Sequence, residues 1–502
     1  MKFPSRKIER VMLIFPPVRI AAMYEKMCCM PMGISYIASY IRDRYEVKIL
    51  DSVAEGYEEE RWLSDNYFEY GLSVEEIVKR VEEFGADVVG VSCLFSSQFL
   101  VVRDIVNEVK RRFPEVITVI GGTHPSFLPE DSFGRIEGLD FVVLHEGEES
   151  FLRLLDSLVR GYGWEEIDGL AWREDGGVRV NEKRSWIRDL DDLPFPARDL
   201  LPMERYFEIN IPFMFFSRSS RNISFITSRG CPYRCRFCSS CYHWGRRIRY
   251  RSVESVLEEL EELVVRYGIE EVKFEDDNLM ANVGRAKEIF RGMIDRGLKL
   301  HWNMPNGVMI KALDDDELLG LMRDSGCYEV ILAFESGDQY VVDHIIRKPL
   351  DLEKARGIVR KVKGYGIDAH AFFIVGFPGE RMEQIERTFE YARSLDLDKA
   401  YFFIFNPLPG SELYDECIEK GLFKQEDLYI ENYSMMGITT EEFEPSILRR
   451  LIHKNYWYFN FRQLFFDPKK FFTKYGRKLY RKETIKGLAR IARNLMRIYL
   501  GI

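Results

Sequence analysis

The strongest chemical signal in the 502-residue chain is the string GCPYRCRFC, in which Cys231, Cys235 and Cys238 are spaced C-x3-C-x2-C directly behind an apolar run. Three thiolates this close share one small loop. A cubane iron–sulfur cluster has four iron corners, so three protein ligands leave one iron open to a non-protein ligand. Two other metal readings stand beside this one. Cys241, three residues further on, offers a fourth thiolate that would close the cluster for electron transfer. A structural zinc site would take four ligands from two separated knuckles, but no further C-x2-C pair lies elsewhere in the chain. Cys28, Cys29, Cys93, Cys327 and Cys417 are scattered and read as core or unexceptional thiols. Nine cysteines at irregular spacing, behind an N-terminus without a signal peptide's apolar stretch, lead to the expectation of a reduced, cytoplasmic chain. In that compartment a close cysteine group binds metal or does catalysis before it forms disulfides.

The elements that must position this loop are legible as periodic runs. From about 222 to 410 six apolar runs (ISFITSRGC, EEVKFEDDN, KLHWNMPNG, YEVILAFESG, AHAFFIVGFPGE, AYFFIFNPLPG) each precede a helical pattern or a turn. Six β/α units predict an open, partial (β/α)6 barrel of the TIM type, with polar residues gathered at the strand ends. Residues 1–150 also alternate apolar runs (RVMLIFPP, VKILDS, ADVVGVSCLF, VITVIGG, DFVVLHEGEE) with amphipathic stretches, which predicts an α/β, doubly wound, Rossmann-like parallel sheet. Ligands usually sit outside the carboxyl ends of such strands. Residues 151–221 read as a connector containing a hairpin, with turn signals at EDGG and DDLPFPARDL, and residues 411–502 as a helical C-terminal region.

Composition sets the outer bounds. Apolar residues make up 46% of the chain and charged ones 30%, which excludes global disorder. There is no run of eighteen apolar residues to cross a membrane. The formal charge of −9 is unevenly spread, because residues 449–502 carry 15 Lys or Arg against Asp467 and Glu483.

Further strings agree with the cysteine loop: Phe237 before the third cysteine, EDDN at 275–278, PNG at 305–307, FESG at 334–337 and IVGFPGE at 374–380. Together they make residues 222–410 resemble the radical S-adenosylmethionine (AdoMet) superfamily. The resemblance implies a [4Fe-4S] cluster held by Cys231, Cys235 and Cys238. Its open iron would chelate the amino and carboxylate groups of AdoMet. One electron, from a reductant such as ferredoxin or flavodoxin, would then cleave AdoMet to methionine and a 5′-deoxyadenosyl radical. Phe237 would lie near the adenine, Glu335 would hydrogen-bond AdoMet, and Gly376 would permit close backbone approach. Glu335 also reads as an ordinary strand-end acid. Asp276, Asp277 and Asn278 read equally as substrate-side groups or as a turn into the next helix, and Arg234 and Arg236 as charge balance for a cluster or as surface residues.

Ahead of such a barrel, the N-terminal sheet resembles the cobalamin-binding domain of the cobalamin-dependent radical AdoMet enzymes. MPMGISYIASYI at 30–41, GGTHPS at 121–126 and HEGEES at 145–150 carry that resemblance. Ser92, Gly121, Gly122, His124, Glu146 and Gly147 are the cofactor-side candidates by their strand-end position. The Asp-x-His-x-x-Gly motif of the methionine-synthase type of domain is absent, and the nearest string, DAHAFF at 368–373, lies on a barrel run. A fold that has kept these loops without cobalamin is the competing reading.

The two resemblances imply a methyltransferase acting on an unactivated carbon, with an oxidative cyclase of the anaerobic magnesium-protoporphyrin ester type as the alternative on the same scaffold. A methylthiotransferase would carry three more cluster cysteines in its N-terminal domain. A non-catalytic cobalamin- or redox-sensing protein is the reading from another class. In the tail, Trp457, Phe465, Phe466, Phe471 and Phe472 alternate with Lys469, Lys470, Lys474, Arg477 and Lys478. This pattern fits peripheral docking on an anionic membrane and a lipid or isoprenoid substrate. It fits equally an aromatic cover over the barrel with a solvated basic face. Nucleic acid is the weaker reading, since no RNA-binding module accompanies the tail.

Overall fold

The computed structural model describes residues 5–466 apart from 23, 65–66, 212–216 and 430–435. The N-terminal sheet has seven strands in the order Gly177–Asn181, Leu170–Glu174, Phe141–Val143, Ile117–Gly121, Val88–Ser92, Arg10–Phe15 and Glu46–Asp51. The last five are parallel, as the apolar runs predict. Arg10–Phe15 shows why the sheet is covered on both faces. Val11 and Leu13 pack in one core with Ile34, Ala38 and Leu154, whereas Met12 and Ile14 pack in another with Ile77 and Val102. Helices Met32–Ile41 and Glu148–Arg160 supply the first face, and Val74–Phe84 and Phe99–Arg112 the second. Val74–Phe84 starts at a capping box in which Ser73 Oγ accepts from Glu76 N–H and Glu76 accepts from Ser73 N–H.

The hairpin expected in the connector, Leu170–Glu174 with Gly177–Asn181, adds antiparallel to the edge of this sheet through Phe141–Val143. The sheet therefore runs to Asn181 rather than closing near residue 150. A small antiparallel sheet of Val18–Ala21, Tyr67–Tyr70 and Glu60–Ser64 was not predicted by the periodicity.

The second sheet is the open barrel. Asn222–Phe225, Glu271–Phe274, His301–Val308, Cys327–Glu335, Asp368–Val375 and Lys399–Ile404 pair in parallel and in chain order. All six predicted runs are strands. Trp302, fully buried, stacks on Phe290 at 4.6 Å between sheet and helix. Helix Pro445–Phe466 covers the last strand, with Phe402 meeting Tyr456 and Phe459 at 6.2 and 6.1 Å. The expected basic and aromatic tail beyond residue 466 lies outside the described residues. Among the described residues no helix is long and apolar enough to cross a membrane.

Candidate functional site

The cysteine loop leaves the barrel after the first strand. A short ladder, Ser228–Arg229 against Arg249–Tyr250, frames its base. Gly230 sits at φ +95°, a conformation that favours glycine, and donates its N–H to Asp277 at 3.3 Å. Cys238 N–H donates to the Cys235 carbonyl at 3.0 Å, which turns the loop between the second and third cysteines. Asn278 Nδ2 lies 3.9 Å from Cys231 Sγ. Burial pushes the Cys231 thiol up, Cys235 up to about 11, and Cys238 higher still. Such thiols are poor nucleophiles by themselves, and a bound metal reverses the effect because a coordinating thiol is deprotonated outright. The three are partly accessible, whereas Cys241, on the turn Ser240–His243, is buried. Arg236 is turned away from the loop's centre: it bonds Glu416 at 2.5 Å and Glu412 at 3.2 Å, so it anchors the loop to helix Glu412–Glu419.

At the barrel mouth, Glu335 closes the fourth strand at φ +65° and pairs with Lys348 at 2.8 Å, both largely buried. The Phe237 ring lies 5.8 Å from that of Phe377. Gly376, at φ +89°, and Phe377 donate their N–H groups to Glu380 Oε2 at 2.7 and 3.0 Å, which shapes the GFPGE turn. A Cβ on Gly376 would lie 2.6 Å from Leu448 Cδ1. Of the EDDN residues, Asp276 is buried and accepts from Thr227 and Ser228, so it ties down the end of the first strand. Asp277 holds Gly230.

A cavity of about 640 Å³ joins the two sheets. Ser92, Gly121, Gly122 and Gly147 line it from the first sheet, Glu275 and Asn306 from the barrel. Gly122 is at φ +118°, and a Cβ there would stand 2.5 Å from the Cys93 carbonyl oxygen, so only glycine fits this close crossing. Glu146 also lines the cavity, but its carboxylate is engaged by Arg229, Arg249 and Ile187 N–H. His124 is not on the wall. Its Nδ1 is 2.9 Å from Ser96 Oγ and its ring is packed against Phe99 and Tyr429, behind the strand-end loop.

Sequence reasoning missed two other imidazoles that do face the cavity, His145 and His243. Burial lowers them to about 4 and about 3, so both are neutral, and each has a buried Nδ1 with no hydrogen-bond partner in the structure. Neutral imidazole nitrogens suit the amide groups that rim a corrin ring. His145 is held at φ +60°, inside the HEGEES string that marked the loop. Glu275 was also missed as a wall residue. Its carboxylate accepts from Ser224 Oγ at 2.7 Å, and its carbonyl accepts from Asn306. Burial raises the Glu275 carboxyl to about 7. A large, mostly apolar pocket with glycine-lined strand ends on one side and Ile226, Arg229, Glu275 and Asn306 of the barrel unit on the other has the size and position to take a cofactor held by the first sheet.

Comparisons with known proteins agree with this division. A family model described as B12 binding domain matches residues 19–155, and one described as Radical SAM superfamily matches residues 225–392. The chain is 36% identical over 460 residues to the cytidylyl-2-hydroxyethylphosphonate methyltransferase of Streptomyces wedmorensis, covering 86% of this chain and 85% of the relative. It is 33% identical over 419 residues to an uncharacterized methyltransferase of Pyrococcus horikoshii, covering 83% and 84%. It is 27% identical over 397 residues to the anaerobic magnesium-protoporphyrin IX monomethyl ester cyclase of Rubrivivax gelatinosus, covering 78% and 66%. Among solved structures, the radical S-adenosylmethionine methyltransferase TsrM of Kitasatospora setae superposes with a TM-score of 0.66 at 18% identity, covering 82% of this chain and 76% of that one.

Proposed function

This chain belongs to the cobalamin-dependent radical AdoMet enzymes, whose cofactors are a [4Fe-4S] cluster, AdoMet and cobalamin, and from that premise we propose that it methylates an unactivated carbon of a polar, hydroxyl-bearing small molecule. The observation that carries the reading is the single cavity walled on one side by the strand ends of the first sheet and on the other by the barrel mouth. In that arrangement Cys231, Cys235 and Cys238 would hold the cluster, with Phe237, Glu335 and Gly376 on the AdoMet side. Ser92, Gly121, Gly122, Gly147 and the two neutral imidazoles would receive the cobalamin. The cofactors supply hydrogen-atom abstraction and a transferable methyl group. The chain's own residues bind, align and exclude water. Glu275 and Asn306 present the polar groups on the barrel wall, and Glu275 is the group proposed to accept a hydrogen bond from the acceptor's hydroxyl. Ferredoxin or flavodoxin is the proposed electron donor.

The lipid or isoprenoid acceptor rests on a pattern whose basic stretch, Lys469 to Lys478, lies outside the described residues, while its Trp457 is exposed on helix Pro445–Phe466. The relative matched at 36% identity acts, by its name, on a cytidylyl phosphonate, which supports the polar reading. The test is an anaerobic assay of the loaded protein with AdoMet, a chemical reductant and, in separate arms, cytidylyl-2-hydroxyethylphosphonate or a total lipid extract. 5′-Deoxyadenosine and S-adenosylhomocysteine are quantified together. Comparable accumulation that depends on the phosphonate supports the proposal, and dependence on the lipid arm moves the acceptor class. Deoxyadenosine without S-adenosylhomocysteine, while an acceptor is consumed, refutes methylation in favour of cyclisation or rearrangement.

A further inference from the structure

Glu146 and Glu148 flank Gly147, a residue of the cavity wall, and both turn their carboxylates onto one guanidinium. Arg229 Nη1 meets Glu146 Oε1 at 2.6 Å and its Nη2 meets Glu148 Oε1 at 2.6 Å. Arg229 is the residue before Gly230 and two before Cys231. The planar fork of arginine is thus used from both tines, one to each acid. Its orientation is fixed further by Tyr36 and Trp244, whose rings lie 5.0 and 5.3 Å from the guanidinium carbon. Arg249, on the strand that pairs with Arg229, bonds the same Glu146 at 2.8 Å and the Ile187 carbonyl at 2.7 Å. All four charged side chains are at most 10% exposed.

The path from the cavity wall of the first sheet to the first cysteine of the loop therefore passes through one side chain, by hydrogen bonds on one side and along the backbone on the other: Gly147, its two flanking acids, Arg229, Gly230, Cys231. We infer that the Glu146–Arg229–Glu148 clamp is a positioning device that sets the separation between the cobalamin and the cluster. Apolar packing between the two units can slide by fractions of a side chain, whereas two parallel charge-assisted hydrogen bonds to one fork fix both distance and angle. A buried ion pair is weak evidence for stability and stronger evidence for register. Arg229 and both acids line the cavity beside Gly147, but their charged groups are engaged with one another, so the clamp acts through Gly147 and Cys231.

The inference rests on both cofactors binding as proposed above, and the experiment reports on that separately. Iron, sulfide and cobalamin contents are measured on the holoenzyme of the wild type and of Glu146→Gln, Arg229→Lys and Arg249→Lys. The dipolar coupling between the reduced cluster and cob(II)alamin is then read by EPR, with no acceptor present. The expected result is full loading with a weaker coupling spread over a wider range of distances, larger in Glu146→Gln and Arg229→Lys than in Arg249→Lys, which leaves both Arg229 bonds in place. A clamp that served stability alone would lower the thermal midpoint and leave the coupling of the loaded fraction at its wild-type value, and that result overturns the inference. Loss of either cofactor from Arg249→Lys, the mildest change, would mean that the charges form the sites rather than space them, and also overturns it. An unloaded wild type would overturn the cofactor assignment and this inference with it, whereas a loaded wild type beside variants of unchanged coupling overturns the inference alone.

Discussion

Glu380 offers a prediction whose sign and size follow from its surroundings. The side chain is 1% exposed, and its Oε2 accepts from the N–H groups of Gly376 and Phe377 while its Oε1 is buried without a partner. Burial raises the carboxyl from about 4.5 to about 8. It outweighs the two N–H donors, which pull the other way, and the nearby Asp338 charge adds to it. The folded chain then keeps a proton on Glu380 from about pH 5 to pH 8, where the unfolded chain has released it. Stability from this group is full below about 4.5 and is lost as pH rises through about 8. The loss has a slope of about 1.4 kcal/mol per pH unit, or roughly 4 kcal/mol over three units. Glu380→Gln retains an oxygen for both N–H donors and removes the proton equilibrium. Chemical denaturation of wild type and variant at pH 5.5, 6.5, 7.5 and 8.5 isolates the effect, because the two proteins share every other titrating group. The buried amide N–H2 of the variant adds a constant offset, so the slope of the difference is the readout. The variant should gain on the wild type steadily as pH rises. A difference independent of pH would mean that Glu380 is ionised throughout, so that the two backbone donors outweigh burial, and the reasoning would be refuted.

Three further outcomes are expected. Cys231→Ala, Cys235→Ala and Cys238→Ala should each reduce iron and sulfide in the reconstituted protein to background, while Cys241→Ala keeps the full content; loss in Cys241→Ala would point to a closed four-thiolate cluster. Gly122→Ala should abolish cobalamin retention, read by absorbance after desalting, because its Cβ would stand 2.5 Å from the Cys93 carbonyl. Retention at the wild-type level would remove this crossing from the site. Trp302→Ala should cost about 3–5 kcal/mol by emptying the space against Phe290 and Phe274, seen as a lower denaturation midpoint. A change within 1 kcal/mol, in order-of-magnitude terms, would mean the core collapses around the gap.

The parts of this fold that were legible share one property: each buried strand is a short apolar run that ends in a polar string, and both signals are local. That holds for the six barrel strands and for most parallel strands of the first sheet, Arg10–Phe15 running instead into Pro16 and Pro17. The EDGG turn announced a hairpin, but a turn carries no information about which sheet the hairpin joins, so its place on the edge beside Phe141–Val143 was not readable. The site shows the same limit. His124 and His145 lie in neighbouring strand-end strings and have the same chemistry, yet one is packed behind the loop against Phe99 and the other faces the cavity. Glu146 reads as a ligand contact because acids at strand ends often are. Its partners Arg229 and Arg249 are 83 and 103 residues away, beyond any local pattern.

Buried charge occurs twice where the N-terminal half meets the barrel, and the recurrence has a physical reason. Glu259, on barrel helix Val253–Tyr267, is 1% exposed and lies between Arg198 of the connector and Arg251. With Glu146 and Arg229, these contacts join segments 61 and 83 residues apart. Replacing such groups with apolar ones is often neutral or stabilising, so stability alone does not account for two such clusters at one boundary. Removing a single partner, however, leaves an unpaired buried charge at a cost of about 3–5 kcal/mol, and that penalty falls on every displaced arrangement of the two halves as well as on mutants. A boundary built this way tolerates one alignment and penalises its neighbours, which is the property required when the reacting groups of one turnover are held by two separate sheets.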